Sequence, residues 1–449
     1  MPPERGRGRL RLGAEIAAFA LGTIAALGAG LLGASALLQV GGGAVAHGWR
    51  SAGAVLLALV ALLMGLRWAV VLVLALRGHA RRTLRPPPDP GRWPRVSILL
   101  PAHDEAATIE DALRAFLALD YPDFEVVCVD DGSTDRTSAL ARPFAGWHGA
   151  VHVQVLHQPN GGKWSALNRA WQHSDGELVL CVDADSLLRP DALRWLVRTL
   201  LATGAAGVAG QVRVRNRDRW LTRLQALEYL TCQSALRAAQ HASRTVLVVP
   251  GPIGLYRRSV LAALPSARRA DATGPFEGDT FAEDFDLSLA VLARGGAIVY
   301  EPRAVAQTKA PAALPALLNQ RYRWMRGSIQ VLRKFGRDAA RDPRLLRPDV
   351  LAWLIVTYGC DLVLLPVTML LAVALIATST QGWTIGAAST LAAALGAGVV
   401  ANLGFASTQG DRLRLALLEP FAWVYSSLVL PTIYPFVLLD EVRRAPMRW

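Results

Sequence analysis

Acidic side chains stand directly after two apolar, strand-like stretches of the sequence. Asp130 and Asp131 end the stretch "FEVVCVDD", and Asp183 and Asp185 belong to "ELVLCVDAD". Carboxylates gathered at one cleft edge repel one another unless a divalent cation or a donor-rich ligand compensates their charge. Their placement at successive strand ends therefore favours a metal site, although "DDGS" alone is an ordinary turn and a single D-x-D is common by chance.

Two further stretches carry groups suited to a phosphorylated ligand and to proton transfer. In "NGGKWSALN", residues 160–168, the glycines let backbone N–H groups approach a ligand, and Lys163 is one of only three lysines. In "EDFDLSLAVLA", Glu283 and Asp284 open a helix-like stretch, and an acidic neighbour in a cleft can raise a carboxylate pKa to that of a useful base. The simpler alternatives are an Asn-Gly turn and two acids that favour a helix N-terminus.

The stretch "NQRYRWMRGS", residues 319–328, crowds cationic and aromatic side chains together. On a helix, Gln320, Arg323 and Trp324 fall at i, i+3 and i+4 and share one face. A Trp face suits a sugar ring, and a guanidinium suits a phosphate. The alternative is an amphipathic surface helix whose other arginines meet anionic lipid headgroups. Those arginines are Arg321, Arg326 and Arg333.

The elements that must position these residues alternate along the chain. Strand-like runs "VSILLPA", "FEVVCVDD", "VHVQVLH" and "ELVLCVDAD" are separated by helix-like segments near 106–119, 134–144 and 163–174, with another from about 190. This alternation predicts an α/β domain with a mostly parallel sheet. In such sheets ligands collect at the carboxyl ends of the strands, where the acids stand.

Long apolar runs flank this domain at 16–40, 52–76, about 351–377, 383–406 and 415–439. Each is long enough to cross a hydrocarbon core of about 30 Å. Arginines in "ERGRGRLRL" and "RGHARRTLR" predict that residues from about 78 to 350 are cytosolic. The arginine-rich tail "DEVRRAPMRW" disagrees, because five full spans would leave it outside. We expect a multi-pass protein of the bacterial inner (plasma) membrane and, without any nucleic-acid-binding signature, no nucleic-acid partner.

The motifs "PAHDE", "VDDGSTD", "GGK", "DADS", "AEDFDLSL" and "QRYRW" occur in this order over roughly residues 94–336. In this respect the chain resembles the inverting family 2 glycosyltransferases with a GT-A fold. The likeness is greatest to membrane polysaccharide synthases of the poly-beta-1,6-N-acetylglucosamine type, followed by the hyaluronan, chitin and cellulose types. It implies an N-terminal transmembrane pair (1–92), a GT-A domain (93–310), interface helices with the Q-x-x-R-W motif (311–348) and a C-terminal transmembrane region (349–449).

The resemblance also implies a role for each matching position. Donor binding falls to Pro101, His103, Glu105, Asp130, Asp131, Lys163, Asp183 and Arg323, with His103 where an aromatic residue often stacks on uracil. Asp183 and Asp185 match the pair that binds the diphosphate through Mg2+ or Mn2+. Asp284 matches the general base, preceded by Glu283, and Gln320 and Trp324 match acceptor-binding positions.

Three stretches leave the details open. Ala282 stands where the family often has Thr, and "AHDE" lacks the Asn that commonly precedes the Glu, so the sugar is not fixed by the motifs. The stretch "VVPGPIGLYRRS", residues 248–259, stands where these synthases have a loop below the acceptor, and a Gly/Pro hairpin is the alternative.

The expected function is a membrane-bound, processive glycosyltransferase that polymerises N-acetylglucosamine from a UDP-sugar and passes the polysaccharide through its own spans. Its expected partners are the UDP-sugar donor, the growing polysaccharide acceptor, the lipid bilayer and a small membrane subunit. One alternative is a non-processive enzyme acting on a lipid acceptor. Another is a transporter or receptor with a regulatory nucleotide-binding domain, against which the base-like Asp284 argues.

Overall fold

The computed structural model of the chain describes residues 56, 59–60, 62–63, 66–78, 86–268, 273–364 and 418–445. They belong to two compact units. The α/β unit comprises Pro87–Thr222, Ser243–Val350 and Thr432–Trp449, and the helical unit comprises Met1–Pro86, Arg223–Ala242 and Leu351–Pro431. Residues 223–242, inside the predicted GT-A domain, therefore group with the helical unit.

The α/β unit is built on one nine-stranded sheet with strand order β3-β4-β2-β1-β5-β8-β7-β9-β6. The strands are β1 Val96–Ala102, β2 Phe124–Asp131, β3 Gly146–His148, β4 Val151–Gln158, β5 Leu178–Cys181, β6 Leu187–Leu188, β7 Gly207–Val214, β8 Gly254–Arg257 and β9 Ile298–Thr308. Strands β1 and β2 are buried along their whole length, as expected for parallel strands covered on both faces.

The prediction of a mostly parallel sheet is correct for four of the eight pairs of neighbouring strands and wrong for the other four. Strands β4, β2, β1 and β5 pair in parallel, and so do β7 and β9. Strand β8 then runs antiparallel to both β5 and β7, and β3 and β6 are antiparallel to their neighbours. The sheet is thus mixed, because the short strands β3, β6 and β8 join it without the crossover helices that parallel neighbours require.

Helices follow the parallel strands where the sequence predicts them. They are α1 Ile109–Leu117, α2 Thr137–Ala141, α3 Lys163–Gln172 and α4 Ala192–Thr203. Helix α1 shows the reason, since Ile109, Ala112, Leu113 and Phe116 form an i, i+3, i+4, i+7 stripe that is buried. The later helices are α5 Trp220–Glu228, α6 Ser234–Ala242, α7 Arg258–Ala262, α8 Pro265–Arg268, α9 Glu283–Ala293, α10 Leu314–Arg341, α11 Pro348–Leu354 and α12 Glu419–Val442.

The helical unit is described only in part. Residues 66–78 are helical, and wider π-helical turns cover Tyr229–Gln233 and Ile355–Leu364. Among the residues placed by the structure, no helix combines the length and the apolar character needed to cross a membrane. The predicted spans at 16–40 and 383–406 lie outside the described residues, and the other three are covered only partly.

Candidate active site

Strand direction brings four stretches of sequence to one edge of the sheet. Strands β1 and β5 are parallel neighbours, so "PAHDE" and "DADS" leave the sheet at the same edge. Strand β8 is antiparallel to β5, so the residues that precede β8 also lie there. Helix α3 begins at Lys163 after Gly162, whose φ of 86° lets the chain turn sharply into the helix.

Lys163 joins two of the predicted motifs. Its Nζ lies 2.8 Å from Oδ1 of Asp183 and 2.6 Å from Oε1 of Glu283. Although burial alone would lower it, the charges of Asp183 and Glu283 hold the pKa of Lys163 well above its ordinary value. The ammonium therefore stays charged and neutralises part of an otherwise acidic cavity.

Asp284 lies in the same cavity, beside Glu283. Its Oδ2 accepts a hydrogen bond from the Gly251 backbone N–H at 3.3 Å, and its Oδ1 accepts one from the Phe285 N–H at 2.7 Å. Burial and the charge of Glu283 raise the pKa of Asp284 to about 6. A carboxylate with this pKa can take up a proton near neutral pH.

Gly251 brings the loop before β8 into direct contact with the charged groups. A Cβ atom at this position would lie 2.8 Å from Nζ of Lys163 and 2.9 Å from Oδ2 of Asp183. The stretch 248–259 thus meets the Lys163–Asp183 pair, which neither sequence alternative specified. The cavity is lined by Pro101, Lys163, Leu167, Cys181, Val182, Asp183, Val249, Pro250, Gly251, Gly254, Tyr256, Phe276, Glu283, Asp284 and Leu287.

The two carboxylates of the D-x-D motif and that of Glu105 influence one another's charge. Asp185 accepts hydrogen bonds from Ser186 at 2.9 Å and from Thr308 at 3.0 Å, and burial together with the charge of Asp183 raises its pKa. Burial also raises the pKa of Glu105, and the charges of Asp185 and Asp183 add to this. These oxygens disfavour one another's charge, and hard divalent cations prefer such oxygen ligands, so the residues present fit Mg2+ or Mn2+.

Asp131 shapes the loop between β4 and α3, while the neighbouring Asp130 contacts a histidine of β4. Asp131 accepts hydrogen bonds from the backbone N–H groups of Gly161 and Gly162 at 2.9 and 2.8 Å. Asp130 is buried and lies 2.8 Å from Nδ1 of His157. Of the two carboxylates predicted to bind the donor, Asp131 therefore fixes the "NGGK" turn that carries the lysine.

The first motif folds around the same turn. Nδ1 of His103 lies 2.9 Å from the backbone oxygen of Asp131, which sets the orientation of the imidazole ring. Glu105 accepts a hydrogen bond from Thr108 at 2.6 Å, and Pro101 lines the cavity. The three predicted residues of "PAHDE" thus lie at the sheet edge that carries Asp183 and Asp185.

The "QRYRW" residues lie on α10, which packs beside Glu283 and Asp284. Arg323 and Trp324 are exposed, and Gln320 is half-buried. One turn further on, a Cβ at Gly327 would lie 2.8 Å from Cβ of Ala282, so the helix and the residue before Glu283 are in close contact.

The lipid-headgroup interpretation of α10 is wrong for Arg326 and finds no support at the other two arginines. Arg326 is buried, with its Nε 2.9 Å from Oε1 of Glu441. Arg333 binds Oε2 of the same residue at 2.7 Å. Arg321 is buried and its guanidinium lies 4.3 Å from the Trp324 ring centroid.

Three more carboxylates cluster beside α10, at Glu277, Asp279 and Asp286. Nζ of Lys334 lies 2.6, 2.9 and 2.7 Å from them, respectively. The lysine ammonium thus neutralises part of the charge of the three carboxylates. The cluster fastens the segment before α9 onto α10.

Sequence reasoning did not single out His157, Gly251, Lys334 or Glu441. For Gly251 the sequence did contain a signal, because a glycine between two prolines in "PGP" indicates a backbone that other groups can approach closely. The other three make contacts across large sequence separations, which no local pattern encodes. His157, for example, becomes relevant only once β4 pairs with β2.

The chain belongs to the glycosyltransferase-like family 2, whose sequence pattern matches residues 94–327. An N-acetylglucosaminyltransferase of Azorhizobium caulinodans is 34% identical over 242 residues, which cover 53% of this chain and 60% of that protein. A poly-beta-1,6-N-acetyl-D-glucosamine synthase of Staphylococcus epidermidis is 29% identical over 238 residues, 53% of this chain and 55% of that one. The chain thus matches little more than half the length of these relatives.

A solved structure supports the fold. A mannosyltransferase from Pyrobaculum calidifontis, determined with GDP-mannose and Mn2+, superposes with a TM-score of 0.57 at 23% identity. The superposition covers 83% of this chain and 99% of that one. The fold is therefore of the GT-A type, with the mixed sheet described above.

Proposed function

We propose that the chain is an inverting glycosyltransferase that transfers N-acetylglucosamine from UDP-N-acetylglucosamine to the hydroxyl of a growing polysaccharide. The observation that carries this proposal is the cavity in which Lys163 binds both Asp183 and Glu283 while Asp284, with a pKa of about 6, lies alongside. A leaving diphosphate needs cationic groups, and an incoming hydroxyl needs a base. This cavity contains both a cationic group, Lys163, and a candidate base, Asp284.

The reaction is a single displacement at the anomeric carbon. The acceptor oxygen forms a bond to this carbon as the bond to the diphosphate oxygen breaks, and UDP leaves with the bonding electrons. Asp284 takes the proton from the acceptor hydroxyl. Lys163 and Arg323 supply positive charge on the side of the leaving group, and Trp324 offers a face on which an acceptor sugar ring can stack.

A divalent cation fits this scheme at Asp183 and Asp185, with Glu105 close by. When bound, Mg2+ or Mn2+ would neutralise the developing charge on the diphosphate. The uridine would lie near His103, Asp130 and Asp131. These roles come from the family resemblance and the contacts above.

N-acetylglucosamine is proposed as the transferred sugar because the names of both relatives include it. Polymerisation is proposed from the synthase among them and from the exposed Trp324 on α10, the helix that contacts the residue before Glu283. Family membership argues against a transporter or receptor that only senses a nucleotide.

We place the enzyme in the bacterial inner membrane, with its catalytic residues in the cytosol, on the strength of the apolar runs and the flanking arginines. Passage of the product through the enzyme's own spans, and a small membrane subunit as partner, belong to this proposal. Glu441 pairs with Arg326 of α10, so the tail lies with the catalytic residues. This pairing supports a cytosolic tail and hence an even number of crossings.

The test uses the full-length chain purified in lipid nanodiscs with a panel of radiolabelled UDP-sugars and Mg2+ or Mn2+. We expect UDP-N-acetylglucosamine to be consumed and to yield long polymer on a sizing gel. A product of one or two sugars on lipid would instead establish the non-processive alternative. UDP binding without release of sugar from any donor would refute the proposal.

A further inference from the structure

Glu441, near the end of the described chain, is buried against α10. Its side chain is 6% exposed, and Oε1 accepts hydrogen bonds from Nε of Arg326 at 2.9 Å and from Nε2 of Gln330 at 3.0 Å. Oε2 accepts one from Nη1 of Arg333 at 2.7 Å. The backbone oxygen of Ala445 also accepts a hydrogen bond from Arg326. The tail is therefore fastened to α10 by one buried carboxylate with three side-chain donors.

A neighbouring stripe of the same helix holds the segment that leads into Glu283. The Thr280 hydroxyl donates to the backbone oxygen of Gly327 at 3.3 Å, and the Phe281 N–H donates to Oε1 of Gln330 at 3.1 Å. Lys334 binds the carboxylate cluster of residues 277–286 described above. Helix α10 is thus shared between the tail and the segment before the catalytic acids.

Gln330 connects these two sets of contacts through a single amide group. Its nitrogen donates to Glu441, and its oxygen accepts from the Phe281 backbone. A carboxylate can only accept, so Glu441 requires the amide nitrogen to face it, which turns the amide oxygen toward Phe281. The guanidinium of Arg326, held by Glu441, also lies 5.4 Å from the Phe281 ring centroid. The contacts through Gln330 and those through Arg326 therefore both reach Phe281, which lies two residues before Glu283.

We propose that Glu441 is a positioning residue of the active site, which it orders by fixing the Gln330 amide that holds Phe281. The catalytic half of this inference rests on the proposed roles of Glu283 and Asp284. Glu441 and Gln330 lie beyond residues 94–327, the stretch that matches the family. The site then depends on a residue that is far away in sequence and is delivered by the last helix of the described chain.

The experiment compares full-length Glu441→Ala, Glu441→Gln and Gln330→Ala with a matched control, Asp338→Asn. Asp338 is a half-exposed carboxylate on the same helix, and its oxygen lies as far as 4.0 Å from the guanidinium of Arg341, so it forms a weak ion pair. We expect Glu441→Ala to lower kcat by on the order of 10- to 100-fold, because small displacements of catalytic groups are costly, while KM for the donor changes about twofold or less. The kcat of Glu441→Gln should fall less than that of Glu441→Ala, since the amide oxygen of the new glutamine can still accept a hydrogen bond from Gln330.

Two readouts separate positioning from general stability. Rates are expressed per UDP-binding site, so misfolded protein does not count. In the double variant Glu441→Ala/Gln330→Ala, the loss should be no larger than that of the worse single variant, because both changes break one path. Multiplicative losses, or a wild-type kcat in Glu441→Ala, would overturn the proposal.

Hydrogen exchange gives a readout that needs no turnover. In Glu441→Ala and Gln330→Ala the peptide covering residues 277–286 should exchange faster than in wild type, because the Phe281 N–H loses a fixed acceptor. Unchanged exchange there would refute the positioning path even if activity fell. If wild-type protein consumed no UDP-sugar, the proposed function would fail while this exchange result still decided the structural link.

Discussion

Asp284→Asn tests the role of the base directly. The change removes the proton acceptor while keeping the size of the side chain and an oxygen for the Gly251 N–H. General-base catalysis contributes about 10²- to 10⁴-fold, so we expect kcat to fall by at least on the order of 100-fold. UDP affinity, measured by calorimetry on the purified variant, should stay near the wild-type value because Asp284 holds no part of the proposed uridine site.

The role of Asp284 as a base also predicts how strongly kcat/KM depends on pH. Asp284 has its pKa raised to about 6, so it is protonated and inactive as a base below that pH and ionised above it. At pH 5 about one tenth of the carboxyls would be ionised and at pH 7 about nine tenths, so wild-type kcat/KM should rise roughly tenfold between these values. The residual rate of Asp284→Asn should lack this acidic limb.

Asp286 provides a matched control for the assignment. It lies two residues away on α9, and burial raises its pKa to about 6 as well, against the effect of Lys334. Asp286→Asn should therefore keep the acidic limb, although the loss of its Lys334 contact can lower the overall rate. An acidic limb that vanished in Asp286→Asn and persisted in Asp284→Asn would refute the reasoning.

Three further predictions concern the divalent metal, Gly251 and Trp324. Chelation by EDTA should abolish transfer and Mg2+ or Mn2+ should restore it; full turnover in chelator would remove Asp183 and Asp185 from a metal role. Gly251→Ala should lower kcat about tenfold or more, because the new methyl group would lie 2.8 Å from Nζ of Lys163, whereas Gly91→Ala, with open space around it, should behave as wild type. Trp324→Ala should shorten or abolish the polymer with UDP affinity little changed, compared with Trp147→Ala on the distant strand β3; polymer of normal length would contradict an acceptor role.

The parallel run of strands β4, β2, β1 and β5 was predictable because its signals are local. Strands β1, β2, β4 and β5 are short apolar runs that alternate with helix-like segments, and each lies where the pattern indicates. The antiparallel strand β8 has only four residues, Gly254–Arg257, and follows a loop rather than a crossover helix. Its pairing with β5 depends on contacts that are more than 70 residues apart in sequence, which periodicity does not record.

In the candidate site, too, residue types were predictable from local motifs, whereas contacts between distant segments were not. Asp183, Lys163 and Asp284 were identified from residue type and motif order, and the structure brings them into one cavity. The sequence could not show that Lys163 bridges Asp183 and Glu283, because that contact joins three separate segments. Nor could it show that Arg326 is buried on Glu441, since arginine near an apolar run equally favours a lipid surface.

The contact between Gly327 and Ala282 has a consequence for the construction of chimeric enzymes. Because the two backbones meet without room for a methyl group, α10 cannot be exchanged for a homologous helix with a larger residue at this position unless its neighbour is exchanged as well. The natural transplant unit joins residues 273–293 with α10 and the tail from Asp440 to Ala445. Swapping acceptor preference between related family 2 glycosyltransferases would then require three non-contiguous segments to be exchanged together.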